Sequence, residues 1–233
     1  MINVDDPGYN LGCLPDVLNT AILMMERMMK ALLLTEYKQF EFTEVPTPEV
    51  GPDEVLIKVS ACGICGSDIH GMDGSSGRRI PPLIMGHEAA GEVVEIGPAV
   101  TTCQPGDRVA LYPFLTCGAC PACKSGALMS CPERSMIGMD WPGALAEYMP
   151  ADARLIAHKP KTLSMREAAA LPLVGITAYE GLVRAGARAG QKVLVHGGAG
   201  GVGHVAVQLA RHLGAEVYAT ASGEKHLGVI GQY

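Results

Sequence analysis

The 233-residue chain has no excess of positive charge. Its 18 Lys and Arg stand against 24 Asp and Glu, a net charge of −6, which argues against nucleic acid as the main partner because a phosphate backbone needs a basic face. It has no apolar run approaching the roughly 18 residues that suggest a membrane span, so no membrane partner is expected. Its opening, MINVDDPGYN, is acidic and polar where a secretory leader is basic and then apolar, so a reducing, cytoplasmic setting is expected. Internal repeats and low-complexity stretches are also missing. What remains is an ordinary globular composition, 48% hydrophobic and 18% charged, with 29 glycines marking many tight turns and eight cysteines that need an account.

Four of the cysteines, Cys117, Cys120, Cys123 and Cys131, follow the spacing C-x2-C-x2-C-x7-C. Four thiolates satisfy tetrahedral zinc without water, which makes a closed structural site. Gly118 and Gly126 let the loop fold tightly around it. A redox CxxC or an iron–sulfur cluster is the weaker reading of the same residues. Cys13, Cys62 and Cys103 read as ordinary small residues.

Residues 1–28 look foreign to the rest of the chain and are expected to lie outside the fold, with a short helix over residues 18–29. From residue 29 to 165 the signals are those of short β-strands punctuated by turn residues: 29–34, 54–60, 90–96, 108–111, 144–148 and 154–157. That pattern predicts a compact antiparallel barrel carrying the cysteine lobe at 113–132. At Ser164 the period changes. Ser164-Met165-Arg166-Glu167 is a capping box that opens a helix through Ala170, and a second helix is expected after Pro172, from about Thr177 to Ala185. Strand 192–196, helix 201–213 and strand 216–219 then form a β-α-β unit, the opening of a doubly wound parallel sheet that occupies 166–233. Such a sheet has about six strands, and two are supplied here, so the unit reads as incomplete.

Two motifs point to a second metal centre. Gly63-Ile64-Cys65-Gly66-Ser67-Asp68-Ile69-His70 follows a strand, and Gly86-His87-Glu88 precedes another. A cysteine and a histidine at separate strand ends can converge on one zinc, and an open zinc site polarises an alcohol oxygen. Downstream, Gly198, Gly200 and Gly203 fit G-x-G-x-x-G between a strand and a helix. Gly198, Gly200, Gly201, Val202 and Gly203 would bring backbone and a helix N-terminus up to a pyrophosphate. No acid stands at the tip of the following strand, where NAD sites place one against the adenine ribose. Ser222 and Lys225 suit a 2′-phosphate instead, so NADP is expected over NAD.

Taken in order, GICGSDIH, GHE, the cysteine lobe and the βαβ glycine turn resemble the zinc-containing medium-chain alcohol and polyol dehydrogenases. The resemblance covers roughly Lys30 to Lys225. It implies a GroES-like catalytic domain of β-barrel type (α+β), followed by a Rossmann coenzyme domain (α/β). It also implies hydride transfer between an alcohol or polyol and NAD(P), a small-molecule alcohol or carbonyl substrate, and a dimer or tetramer in the full-length form. By position, Cys65 and His87 would ligate a catalytic zinc. Ser67 would take the substrate hydroxyl proton and pass it toward His70, Asp68 would fix the ligand histidine, and Glu88 would lie beside the metal. The family's third ligand is missing, because Leu173 or Val174 stands where it is expected; either Glu88 completes the site or the catalytic zinc is weak or absent. The stretch from Leu171 to Lys225 resembles the quinone-oxidoreductase branch. An NADPH-dependent quinone or enone reductase with only structural zinc, and a non-catalytic remnant, are therefore the competing readings.

Overall fold

The computed structural model describes residues 27–232. Of the helix expected over 18–29, residues 18–26 lie outside the described part. Met28 and Met29 belong to a strand, and Arg27 is already tied to the fold through a 2.5 Å ion pair with Glu95. Among the described residues the fold is thus already in place at Arg27 and Met28, two residues ahead of the expected start at 29.

The strands of the first unit pair antiparallel. Its elements are β1 Met28–Glu36, β2 Gln39–Pro46, β3 Glu54–Gly63, α1 Gly66–Met72, β4 Leu83–Ile84, β5 Glu88–Ile96, β6 Arg108–Leu111 and β7 Phe114–Leu115, followed by α2 Pro121–Lys124, β8 Ser135–Met136, β9 Tyr148–Asp152 and β10 Ile156–His158. The strands form a five-stranded sheet in the order β10-β6-β5-β3-β9 and a three-stranded sheet in the order β2-β1-β4. β7 and β8 pair by themselves. Val55, Ile57, Val93, Val109, Leu111 and Met149 are almost fully buried in the main core.

These sheets do not close into one continuous ladder as a barrel would. The segment expected as a strand over 144–148 instead crosses between them on single bonds: Leu145 N–H to Met85 O, Leu32 N–H to Leu145 O, Glu147 N–H to Lys30 O and Val59 N–H to Glu147 O, with regular pairing starting only at Tyr148. The chain bends here because Gly143 lies against backbone, where a Cβ would sit 2.3 Å from Gly86 O. The expected strand at 154–157 also starts later, because a 3₁₀ turn at Ala153–Leu155, capped by Asp152, precedes β10.

The second unit is α3 Met165–Arg184, β11 Lys192–Val195, α4 Gly201–His212, β12 Glu216–Ala219 and α5 Glu224–Ile230. β11 and β12 pair in parallel from Lys192↔Glu216 to Val195↔Ala219, the expected β-α-β. The two helices expected around Pro172 are one. Ser164 caps α3 with Glu167, and the helix runs 20 residues through Pro172. An internal proline costs about 3 kcal/mol, and packing at both ends offsets it. Ala168 and Ala169 pack onto Ala90 and Ala110 of the five-stranded sheet, and Ala178 packs onto Val205 and Ala206 of α4. Among the described residues no helix is long and apolar enough to cross a membrane.

Candidate metal and coenzyme sites

Strand register brings the first site together. Gly63, near the end of β3, pairs with Glu88, at the start of β5. Cys65 lies two residues past the one, and His87 one residue before the other, so the two motifs meet although 22 positions separate them. Gly63 is needed there: a Cβ would stand 2.5 Å from Glu88 Oε2 and would displace the buried carboxylate. Beyond Cys65 the chain turns into α1, where Asp68 reaches back to accept from the Cys65 N–H at 2.9 Å.

One donor atom each from Cys65, His87 and Glu88 lies within 4.8 Å of the others. His87 is completely buried, and its Nδ1 is 3.3 Å from Asp68 Oδ1. Its Nε2 is, among the described residues, the one buried side-chain polar atom with no hydrogen-bond partner. A buried unpaired donor or acceptor costs about 1–3 kcal/mol, so an orphan of this kind needs a reason. A sulfur, an imidazole nitrogen and a carboxylate facing one point form a donor set that suits zinc.

The electrostatics bind the same residues into one unit. Burial opposes a charge on His87, but Asp68 and Cys65 outweigh it and push the imidazole up to about 9. His87 in turn holds the Cys65 thiol below its ordinary value. Burial raises Glu88, while for Asp68 burial is outweighed by His87, the Cys65 N–H and Arg79, which keep the carboxyl low.

The expected proton path is not assembled. Ser67 Oγ accepts from Arg79 Nη2 at 3.2 Å, and no hydrogen bond joins it to His70. His70 Nδ1 instead faces Ser75 Oγ at 3.5 Å. The two residues are one helical turn apart on α1, both exposed, and Ser67 is turned toward the buried guanidinium. Val174 packs among apolar residues against α4, and Leu173 lies beside it on α3; neither joins the Cys65 cluster. Arg79 escaped sequence reasoning. In an Arg78-Arg79 pair nothing local tells which arginine is buried.

In the second cluster the sulfurs of Cys117, Cys120, Cys123 and Cys131 also lie within 4.8 Å of one another. Sγ–Sγ distances are 3.5 Å for Cys120–Cys123, 3.7 Å for Cys131–Cys117 and 3.9 Å for Cys117–Cys123. A tetrahedron with arms of about 2.3 Å has edges of about 3.8 Å, whereas a disulfide needs about 2.05 Å, so the spacing fits four thiolates around zinc. Gly118 and Gly126, at φ 72° and 80°, make the left-handed turns. The backbone N–H groups of Ala119 and Cys120 hold the Cys117 thiol down to about 7. The α2 helix, which carries Cys123, buries no residue, so the lobe has little apolar core of its own there.

The glycine turn occupies the mouth between β11 and β12. Gly197 takes φ 67°, Gly200 is the N-cap of α4, and no side chain caps that helix, so its first N–H groups face outward. Gly201 and Val202 open the helix and are exposed. Gly203 is buried, and a Cβ there would stand 2.1 Å from Gly197 O; one on Gly198 would stand 2.8 Å from the Ala219 Cβ. Thr220, just past β12, pins the turn: its Oγ1 accepts from Gly197 N–H at 3.2 Å and its carbonyl from Gly198 N–H at 2.8 Å. Ser222 and Lys225 are exposed at the start of α5, and Ser222 Oγ is 3.1 Å from His226 Nδ1.

Residues 51–161 match the alcohol dehydrogenase GroES-like domain. An alcohol dehydrogenase of Geobacillus stearothermophilus is 37% identical over 207 residues, 88% of this chain and 61% of that protein. A cobalt- and zinc-bound thermostable alcohol dehydrogenase from Pyrobaculum aerophilum superposes with a TM-score of 0.82 at 34% identity, covering 88% of this chain and 64% of that one. A zinc-binding dehydrogenase from Sinorhizobium meliloti, bound to NADP, gives 0.80 at 35% identity over 89% and 60%. The chain thus spans about three fifths of the length of the proteins it matches.

Proposed function

The chain belongs to the zinc-type medium-chain alcohol dehydrogenase family, and on that premise we propose that it serves hydride transfer between a small alcohol or polyol and NADP, with the carbonyl compound as the other partner. The observation that carries the reading is the buried, partnerless His87 Nε2 beside Cys65 and Glu88.

In this proposal Cys65, His87 and Glu88 hold the catalytic zinc, with Glu88 in place of the ligand that Leu173 or Val174 cannot provide. Cys117, Cys120, Cys123 and Cys131 hold a structural one that does not touch substrate. When bound, zinc would supply a Lewis acid for the substrate oxygen and the nicotinamide would supply the hydride acceptor. Asp68, through His87 Nδ1, keeps the ring turned so that Nε2 presents its lone pair. Ser67 would take the substrate hydroxyl proton at Oγ as its own proton leaves toward His70, one turn along the exposed face of α1; this requires the Ser67 hydroxyl to turn from Arg79, which it faces in the described fold. The N–H groups of Gly201, Val202 and Gly203 would receive the pyrophosphate at the uncapped end of α4, while Gly198 leaves space in the turn and Gly200 closes it through its N–H to Gly197 O at 2.9 Å. Ser222 and Lys225, both exposed, would meet the 2′-phosphate, which would select NADP over NAD. The seven described cysteines are all unpaired thiols, which fits a reducing compartment such as the cytoplasm.

Metal analysis tests this directly. Two zinc ions per chain are expected, one of them lost in Cys65→Ser, together with alcohol-dependent reduction of NADP at 340 nm. A single ion insensitive to Cys65→Ser would leave a zinc-free quinone or enone reductase as the better reading. Failure to bind NADPH in a calorimeter would favour a non-catalytic role.

A further inference from the structure

Arg79 is 1% exposed and is the largest fully buried side chain in the described fold. Its Nη2 donates to Asp68 Oδ1 at 3.0 Å and to Ser67 Oγ at 3.2 Å, and lies 3.4 Å from His87 Nδ1. Nη1 donates to Ser67 O at 3.0 Å and Nε to Gly138 O at 3.3 Å. The chain makes room for this group at a second place: a Cβ on Gly71 of α1 would stand 2.2 Å from Arg79 Cδ.

We propose that Arg79 is a positioning residue that sets the direction of His87 Nε2 and of Ser67 Oγ, and so organises the metal centre from behind its ligands; this rests on the reading of Cys65, His87 and Glu88 as that centre. The reason lies in the donor count. Arginine has donors only, in a fixed fork, so it cannot accept from His87. On one flank of Asp68 Oδ1 it leaves the imidazole Nδ1–H to approach from the other, at 3.3 Å, so Nε2 is the nitrogen left to bind a metal once its proton is displaced. The same fork occupies a lone pair of Ser67 Oγ and its backbone carbonyl, fixing the start of α1, where Cys65 is the N-cap. One planar cation thereby ties α1, whose N-cap is Cys65, to Gly138 and holds the Asp68 carboxylate against His87. A lysine, with a single compact head, cannot serve Asp68, Ser67 and Gly138 together.

The test is cobalt titration of the metal-depleted full chain, read in the visible d–d bands, with Cys65→Ser supplying the spectrum of the four-cysteine site alone. Arg79→Met is expected to weaken cobalt binding at the Cys65 site about 10–100-fold, the range seen when a group supporting a ligand histidine is removed, and to shift its bands while the four-cysteine spectrum stays unchanged. Arg79→Lys should restore only part of the affinity. Gly71→Ala, which keeps every charge but crowds Arg79, should move the same bands in the same direction, and it decides the question if Arg79→Met does not fold. Wild-type affinity and bands in both Arg79→Met and Gly71→Ala would overturn the inference alone. One cobalt per wild-type chain, unaffected by Cys65→Ser, would overturn the metal-centre reading and this inference with it.

Discussion

Two glycines two positions apart in the coenzyme turn should respond in opposite ways to the same added methyl group. A Cβ on Gly203 would stand 2.1 Å from Gly197 O and 2.8 Å from Gly198 Cα, whereas on Gly201 its nearest neighbour would be Val174 Cγ1 at 3.7 Å. Real Cβ atoms essentially never approach closer than 3.0 Å, so Gly203→Ala must move backbone by about 0.9 Å. That backbone is itself pinned by Thr220, which leaves α4 to lift away from the turn. Overpacking of this kind costs about 1–3 kcal/mol. The gain from replacing a helical glycine by alanine, about 1 kcal/mol, is common to both variants and cancels in their comparison. Gly203→Ala should therefore melt below Gly201→Ala by about 2–4 °C for each kcal/mol of that difference. The lifted helix also withdraws its N–H groups from the pyrophosphate, so NADPH affinity should fall at least about tenfold, or 1.4 kcal/mol. Gly201→Ala should melt at or above the wild type. Thermal melts by circular dichroism and calorimetric NADPH titration read both quantities. If the two variants matched in melting temperature and affinity, the argument from close approach would be refuted.

Other parts of the fold are open to the same kind of test. Cys131→Ser, or chelation of the native protein, should release the structural ion and expose residues 117–131 to hydrogen exchange while the β3, β5 and β6 amides stay protected, because the lobe's helix buries nothing; unchanged exchange in the lobe would contradict this. Ser164→Ala should cost about 1 kcal/mol at neutral pH by removing the α3 cap. Ser164 holds Glu167 below its ordinary value, so the stability of this pair is present above the carboxylate's unfolded pKa and is lost as pH falls through the lower folded one. The cost of Ser164→Ala measured by urea unfolding should accordingly shrink below about pH 4, and a cost independent of pH would exclude the reciprocal cap. Met149→Ala, at a fully buried core position, should destabilise by about 2–5 kcal/mol in the same assay, and a loss under about 1 kcal/mol would show that the core there collapses around the gap.

Whatever depends on a few neighbouring residues was legible in the chain alone. The spacing C-x2-C-x2-C-x7-C closes four sulfurs within one loop, because glycines at 118 and 126 permit turns that few other residues adopt. The Ser164–Glu167 box specifies a helix start for the same local reason, as does the strand, glycine turn and helix that begin the parallel pair. Whatever depends on register and depth was settled only by the folded chain. Pro172 argued for a break, and only the packing of Ala168, Ala169 and Ala178 on two different partners carries α3 through it. The barrel expected from evenly spaced strands opens into two sheets, because the 143–147 segment is drawn against Met85 and Gly86 instead of pairing regularly. Glu88 comes beside Cys65 through the pairing of Gly63 with Glu88, and Thr220 finds the glycine turn by the parallel alignment of β11 with β12. Arg79 is the plainest case: its charge is legible in the sequence as a surface residue's, yet its partners lie between 8 and 59 positions away in the chain. A buried cation is stable only where the fold assembles all its acceptors at once, and no local spacing encodes that.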